Sequence, residues 1–280
     1  MVSDTLNFAR SSALSSSPCA RTLQVDFNGV AGWKKFSVLR PLQLRRGLLS
    51  LLAVVTGLGI FRDTYVSDPR QSLKFEARRF AHLRRAGFLA PEIVEYSPDW
   101  SWFVTGSIGK SLRQILLDEN DPRARRALLI HGIEELARLH KAGQYHGRPY
   151  MRDIVLSPDG KIGWLDLEHD ALRSMPLREA QARDALLYLL GATRYQKSDA
   201  QLLPHLLHRY ARLAPDGAVA KMGDITRKLR PAALTACFAA KAFGTGRPPR
   251  AADVIRFTAR VLLRPRPEER GAARIAARPA

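Results

Sequence analysis

The segment from His146 to Glu168 constrains this chain more than any other, because it places two carboxylates at the ends of one short hairpin. Ser157-Pro158-Asp159-Gly160 separates the apolar runs Ile154-Val155-Leu156 and Ile162-Gly163-Trp164. Pro presets φ for a tight turn and Gly takes backbone conformations other residues avoid, so this tetrapeptide between apolar runs predicts a two-stranded hairpin. Asp153 precedes the first strand and Asp166 follows the second, so both acids emerge on the same side of one small sheet. Two hard oxygen ligands brought together in this way suit Mg²⁺, which takes one or two protein carboxylates and leaves its other positions to water and phosphate oxygens.

A chain of 280 residues with 46% hydrophobic and 8% aromatic residues can bury a sizeable core and hold either one bilobal domain or two small ones. Cys19 and Cys237 are too few and too far apart for a disulfide framework or a zinc site, which points to a reducing compartment. The formal net charge of +19 calls for an anionic partner, whether phosphate, acidic lipid or nucleic acid. The arginine excess lacks the interleaved aromatics or reader motif of a nucleic-acid-binding surface, so nucleic acid ranks last of the three.

Residues 1–20 are Ser-rich, carry no basic start or apolar core of a secretory signal, and are expected to be a flexible N-terminus. Arg21 to Asn28 alternates as a half-buried strand does, Asn28-Gly29 is a hairpin turn, and Gly32 to Val38 forms a second strand carrying Lys34 and Lys35. Alternation puts Lys35 on the same face as Trp33. Residues 41–62 include about 15 nearly unbroken apolar positions, Gly47 to Phe61, flanked by Arg45, Arg46 and Arg62. That is short of the roughly 20 residues a spanning helix needs, leaving a helix buried in the same small domain or one lying at a membrane surface.

Asp68 opens a helix with Leu73, Phe75, Phe80 and Leu83 as apolar positions, Glu76 in its first half and Gly87 at its end. Pro91 to Tyr96 and Trp100 to Thr105 read as two strands leading into Gly106-Ser107-Ile108-Gly109. Residues 124–142 form a long amphipathic helix ending Leu139-His140. A further helix covers 180–190, with Asp184 either bonding the backbone of the loop at His146 or serving as an ordinary acid near a helix start. From Leu202 onward come helical runs broken at Pro215-Asp216-Gly217, Pro231 and Gly244-Thr245-Gly246. The tail 264–280, rich in Pro and Arg, reads as disordered.

Taken in order, Trp33-x-Lys35, Glu76, His146-Gly147, Asp153 and Asp166 resemble the protein-kinase-like superfamily, and within it the bacterial lipopolysaccharide-kinase-like branch, over about residues 21 to 200. Asp153 stands in the slot of the metal-binding Asn, and Asp166-Leu167-Glu168 stands where Asp-Phe-Gly would. The 13-residue interval between Asp153 and Asp166 matches that register. Arg148, 18 residues before Asp166, then occupies the place of the catalytic Asp. No Gly-x-Gly-x-x-Gly precedes Lys35.

The resemblance implies an α+β bilobal fold, with a β-rich small lobe over 21–106, interrupted by the insert 41–62, and a helical large lobe over 107–263. It implies ATP and Mg²⁺ as cofactors. Lys35, Glu76, Thr105 and Ser107 would hold the nucleotide, Asp153 and Asp166 the metal, and Arg148, Asp153 and Asp166 the chemistry. The acceptor it implies is a sugar hydroxyl on a lipopolysaccharide precursor or other anionic glycolipid, reached from the cytoplasm at an anionic membrane surface. Arg148 favours a different outcome, an inactive kinase fold that binds nucleotide or an acidic partner as a regulatory module.

Overall fold

The computed structural model describes residues 21–27, 30–38, 57–195, 199–242 and 250–262. The expected flexible N-terminus, the turn at Asn28-Gly29, most of the apolar insert, the break at Gly244-Thr245-Gly246 and the basic tail lie outside the described residues.

The architecture is α+β with a small sheet lobe and a large helical lobe. Strands β1 (Thr22–Phe27) and β2 (Val30–Phe36) pair antiparallel, and β2 pairs in turn with β4 (Trp102–Gly106), whose other edge takes β3 (Ile93–Tyr96). Helix α1 (Pro69–Arg85) packs on this sheet, with Phe80 edge-on to Phe103 of β4. Its start is fixed chemically. The Asp68 carboxylate accepts from the amides of Arg70 and Gln71, and Pro69 occupies a first-turn position where no amide partner is needed.

Beyond Gly106 come a short β5 (Lys110–Ser111), α2 (Leu112–Asp118) and the long α3 (Pro122–Lys141), capped by Asp121. The expected hairpin follows as β6 (Ile154–Leu156) and β7 (Ile162–Trp164), with Ile154 opposite Trp164, and β5 completes a three-stranded sheet. Gly109 allows this closure, since a Cβ there would sit 2.3 Å from the Leu156 carbonyl oxygen. Helices α4 (Leu177–Ala192), α5 (Leu202–Leu213), α6 (Asp216–Ala242) and α7 (Arg250–Leu262) complete the large lobe. Pro231, expected to break a helix, lies inside α6. Pro231 and Arg227, whose carbonyl loses its amide partner, are both exposed, so water can satisfy the group.

One connected apolar core runs from Leu73 and Phe103 in the small lobe through Ile133 and Trp164 to Tyr210 and Ile225. The end of the apolar insert joins it in an unexpected place. Residues 57–62 do not pack within the small lobe: Leu58 is buried in the common core, and a Cβ on Gly59 would meet Glu179 and Met175 of the large lobe. The chain then stays on that lobe through Tyr65. The Asp170 amide donates to the Thr64 carbonyl at 2.7 Å, the Ser174 hydroxyl donates to the Asp63 carbonyl at 2.9 Å, and Tyr65 forms an antiparallel bridge with His169. Apolarity left a small-lobe core and a membrane surface open for this run; its described end lies against the large lobe instead. Among the described residues no helix is long and apolar enough to cross a membrane.

Candidate functional site

The cleft between the lobes holds a cavity of about 670 Å³. Its small-lobe wall carries Trp33, Lys35, Glu76 and Phe103, its rim carries Thr105, Ser107 and Lys110, and its large-lobe wall carries Asp153, Val155, Leu165 and Asp166. Strand alternation separates the two lysines as expected. Lys35 enters the cleft, while the Lys34 ammonium lies over the Trp102 ring, 3.8 Å from its centroid.

Lys35 Nζ donates to Glu76 Oε1 and to Asp166 Oδ1, both at 2.7 Å, and lies 3.7 Å from Glu168. Burial works against its charge, but the carboxylates of Asp166, Glu76 and Glu168 outweigh that effect and hold the ammonium above the ordinary Lys range. Glu76 shows the reverse balance. Its near-complete burial pushes the carboxyl up to about 7, although Lys35 pulls it down.

Asp166 sits at φ 55°, a left-handed conformation that Asp tolerates better than most residues. Its second oxygen receives Arg148 Nη2 at 2.8 Å, and the same guanidinium lies 3.9 Å from Glu168. Burial would raise the Asp166 pKa, but Lys35 and Arg148 drive it well below the usual carboxylate range. Glu168, fully buried, is reached from the other lobe by Arg21 at the head of β1, and Arg148 also donates to the Tyr65 hydroxyl. Three cations and three carboxylates therefore interlock where the lobes meet.

The loop bearing Arg148 is set from beneath. Asp184 on α4 is buried and accepts from the amides of His146, at 2.6 Å, and Gly147, at 3.0 Å, with His140 Nε2 at 3.5 Å. Of the two roles open to Asp184 in the sequence, the geometry realises the backbone-bonding one. Gly147 has φ 100°, and a Cβ there would lie 2.6 Å from that of His169, so only glycine fits. His146 packs edge-on to Trp164, and its Nδ1 accepts from the Arg148 amide. Burial lowers its pKa to about 4, so the ring is neutral at pH 7.

Asp153 lies at the mouth of the hairpin, where its carbonyl accepts from the Leu165 amide at 2.8 Å. One carboxylate oxygen faces Arg152 Nε at 3.2 Å, while the other is buried without a hydrogen-bond partner. Burial, together with the charge of Asp166, raises this carboxyl to about 7. Because the folded pKa lies above the unfolded one, the group disfavours the folded state increasingly as pH rises from about 4 through 7. Asp153→Asn is therefore expected to stabilise the protein by roughly 1–3 kcal/mol more at pH 8.5 than at pH 5 in denaturant titrations. An equal effect at both pH values would place the ionised carboxylate in a better-solvated setting than its burial indicates.

No family model matches the sequence, and no curated protein matches it. Among solved structures it is similar to the MAP kinase LmaMPK10 from Leishmania major, at 13% identity and a TM-score of 0.38, over 74% of this chain and 66% of that one. It is also similar to two structures of WbdD, one described as a bifunctional kinase-methyltransferase. These show 14% and 13% identity, TM-scores of 0.32 and 0.35, and cover 66% and 72% of this chain. The chain spans just under two thirds of the length of the first structure and under half of the other two, 41% and 46%.

Lys35, Glu76 and Asp166 come into direct contact, and Asp153, Thr105 and Ser107 line the same cavity. Thr105 is buried, and the exposed Ser107 is held at the cavity rim by its amide, which donates to the Ala31 carbonyl at 3.1 Å. Arg148 lines none of that cavity and acts on it through Asp166. Arg21 and Tyr65 escaped sequence reading. Neither sits in a motif, and their partners Glu168 and Arg148 are 147 and 83 residues away.

Proposed function

We propose that this chain is a kinase-like phosphotransferase that uses Mg²⁺-ATP and acts on a sugar hydroxyl of a lipopolysaccharide precursor or another anionic envelope glycolipid, working at an anionic membrane surface. The observation that carries the nucleotide part is Lys35 joining Glu76 of the small lobe to Asp166 of the large lobe across a cavity of about 670 Å³. An ammonium so placed can meet triphosphate oxygens while Glu76 holds its position.

The donors suit a hard cation: Asp166 and Asp153 both line the cavity, and Asp153 offers a buried oxygen that lacks a partner. Asp166 and Asp153 would hold Mg²⁺, which would neutralise charge on the phosphate oxygens. Thr105 and Ser107 would bound the base, with Val155 and Leu165 as apolar contacts. Arg148 remains protonated near neutral pH and cannot accept the proton of an acceptor hydroxyl. Its use would be positional, as a clamp on a phosphate of the acceptor.

A second reading is an inactive kinase fold serving as a nucleotide-binding regulatory module. The Arg148–Asp166 pair at 2.8 Å favours it, because that contact occupies a carboxylate needed for the metal. Purified protein assayed for ATP turnover, with and without a lipopolysaccharide precursor, separates the two. Transfer to the precursor is the expected result, and nucleotide binding without turnover would leave only the regulatory reading. Asp166→Asn is expected to weaken Mg²⁺-ATP binding at least tenfold in calorimetry, about 1.4 kcal/mol or more. Unchanged affinity would remove Asp166 from the nucleotide site and the kinase-like reading with it.

A further inference from the structure

A second concave site lies away from the cleft, where α7 crosses α4 and α5. It encloses about 450 Å³ and is lined by Arg250, Arg256 and Arg260, with Asp253, Phe257 and Leu203. The four charged residues and Phe257 form one stripe of α7, spaced three or four apart, while Ala252, Val254, Thr258 and Ala259 bury the opposite side of the helix. Arg256 and Arg260 are thus like charges one turn apart, an arrangement that costs a helix a few tenths of a kcal/mol.

Arg126 pairs at 3.3 Å with Asp199, the residue before the lining Ala200. The three in the groove take part in no ion pair among the described residues; Arg256 donates instead to Cys237 Sγ at 3.3 Å. Set against the single carboxylate of Asp253, they leave the groove with an excess of positive charge.

We infer that this groove is an anion site for a phosphate ester, in which the guanidinium groups bind the phosphate and Phe257 with Leu203 contacts the organic part. Arginine forks offer paired donors matched to phosphate oxygens, and a doubly charged group compensates two of them at once. The Asp253 carboxylate on the same stripe would accept from a hydroxyl of the ligand, favouring a glycerol- or sugar-borne phosphate over inorganic phosphate. The site is independent of the cleft and of the kinase-like reading.

The test compares the full chain with Arg250→Gln/Arg260→Gln, two exposed positions with no ion pair to lose, and with the cleft variant Lys35→Met. Glycerol 3-phosphate and inorganic phosphate are titrated by calorimetry. Vesicles of phosphatidic acid in phosphatidylcholine, against phosphatidylcholine alone, are assayed by sedimentation. Glycerol 3-phosphate binding is expected to persist in Lys35→Met and to weaken at least tenfold in the groove variant, with Mg²⁺-ATP binding there unchanged. Binding of the soluble ester assigns a metabolite site. Groove-dependent binding to acidic vesicles alone assigns a lipid headgroup. If the groove variant binds glycerol 3-phosphate and acidic vesicles as the unmodified chain does, if the unmodified chain binds neither, or if inorganic phosphate binds as tightly as the ester, the inference is overturned.

Discussion

Asp184→Ala is expected to destabilise the protein by about 3–5 kcal/mol, the largest loss from a single residue at the site. The carboxylate is buried and serves the amides of His146 and Gly147, and truncation would leave both donors unpaired where water does not reach. Each orphaned buried donor costs about 1–3 kcal/mol, and charge-assisted bonds stand at the upper end of that scale. Burial opposes the Asp184 charge, yet the neighbouring His140 and the Gly147 amide keep its pKa below the ordinary value. Its contribution is therefore present above pH 4 and is lost as pH falls further. Asp184→Asn keeps one acceptor and should lose less. Denaturant unfolding at pH 7 measures both, and a loss under 1 kcal/mol for Ala would mean that the loop amides find other partners.

Arg148→Ala is expected to raise Mg²⁺-ATP affinity about tenfold, or 1.4 kcal/mol, while lowering the stability of the nucleotide-free protein. Arg148 competes with any metal for Asp166 Oδ2, and without it only Lys35 remains on the other oxygen. Asp166 and Glu168 would then share Lys35 and Arg21 as compensating charges. Breaking a fully buried pair costs roughly 3–5 kcal/mol, but Asp166 and Arg148 are 20% and 15% exposed, so about 1–2 kcal/mol is expected. Calorimetry and thermal unfolding, each with and without Mg²⁺-ATP, check the two halves. Weaker nucleotide binding in the variant would instead make Arg148 a contact of the phosphates.

What could be read from the sequence was local. The Ser157 to Gly160 turn, the Asp68 cap and the alternation separating Lys34 from Lys35 are decided within a few residues, and all three appear as expected. That Lys35, Glu76 and Asp166 share one site was reached only through resemblance to a family pattern, because nothing local brings residues 41 and 131 positions apart together, and the direct Lys35–Asp166 contact was not foreseen. Arg21 is a strand-end arginine like many others until Glu168 is seen across the cleft. For the apolar run ending at Phe61 the sequence left core packing and a membrane surface open; of its described residues Leu58 is buried in the core common to both lobes, because an apolar surface does not specify its partner.

The docking of residues 57–65 on the large lobe has a mechanical consequence. Helix α1, which carries Glu76, begins at its cap Asp68, three residues after Tyr65 is fastened beside His169. Three residues span at most about 10 Å, so the start of α1 is leashed to the large lobe by a short line. The Gly106 to Gly109 connection makes a second mooring. A body held at two points does not swing like a door on one hinge. It can rock about the line joining them, and any wider opening must first unfasten Tyr65 from His169 and, with it, from Arg148.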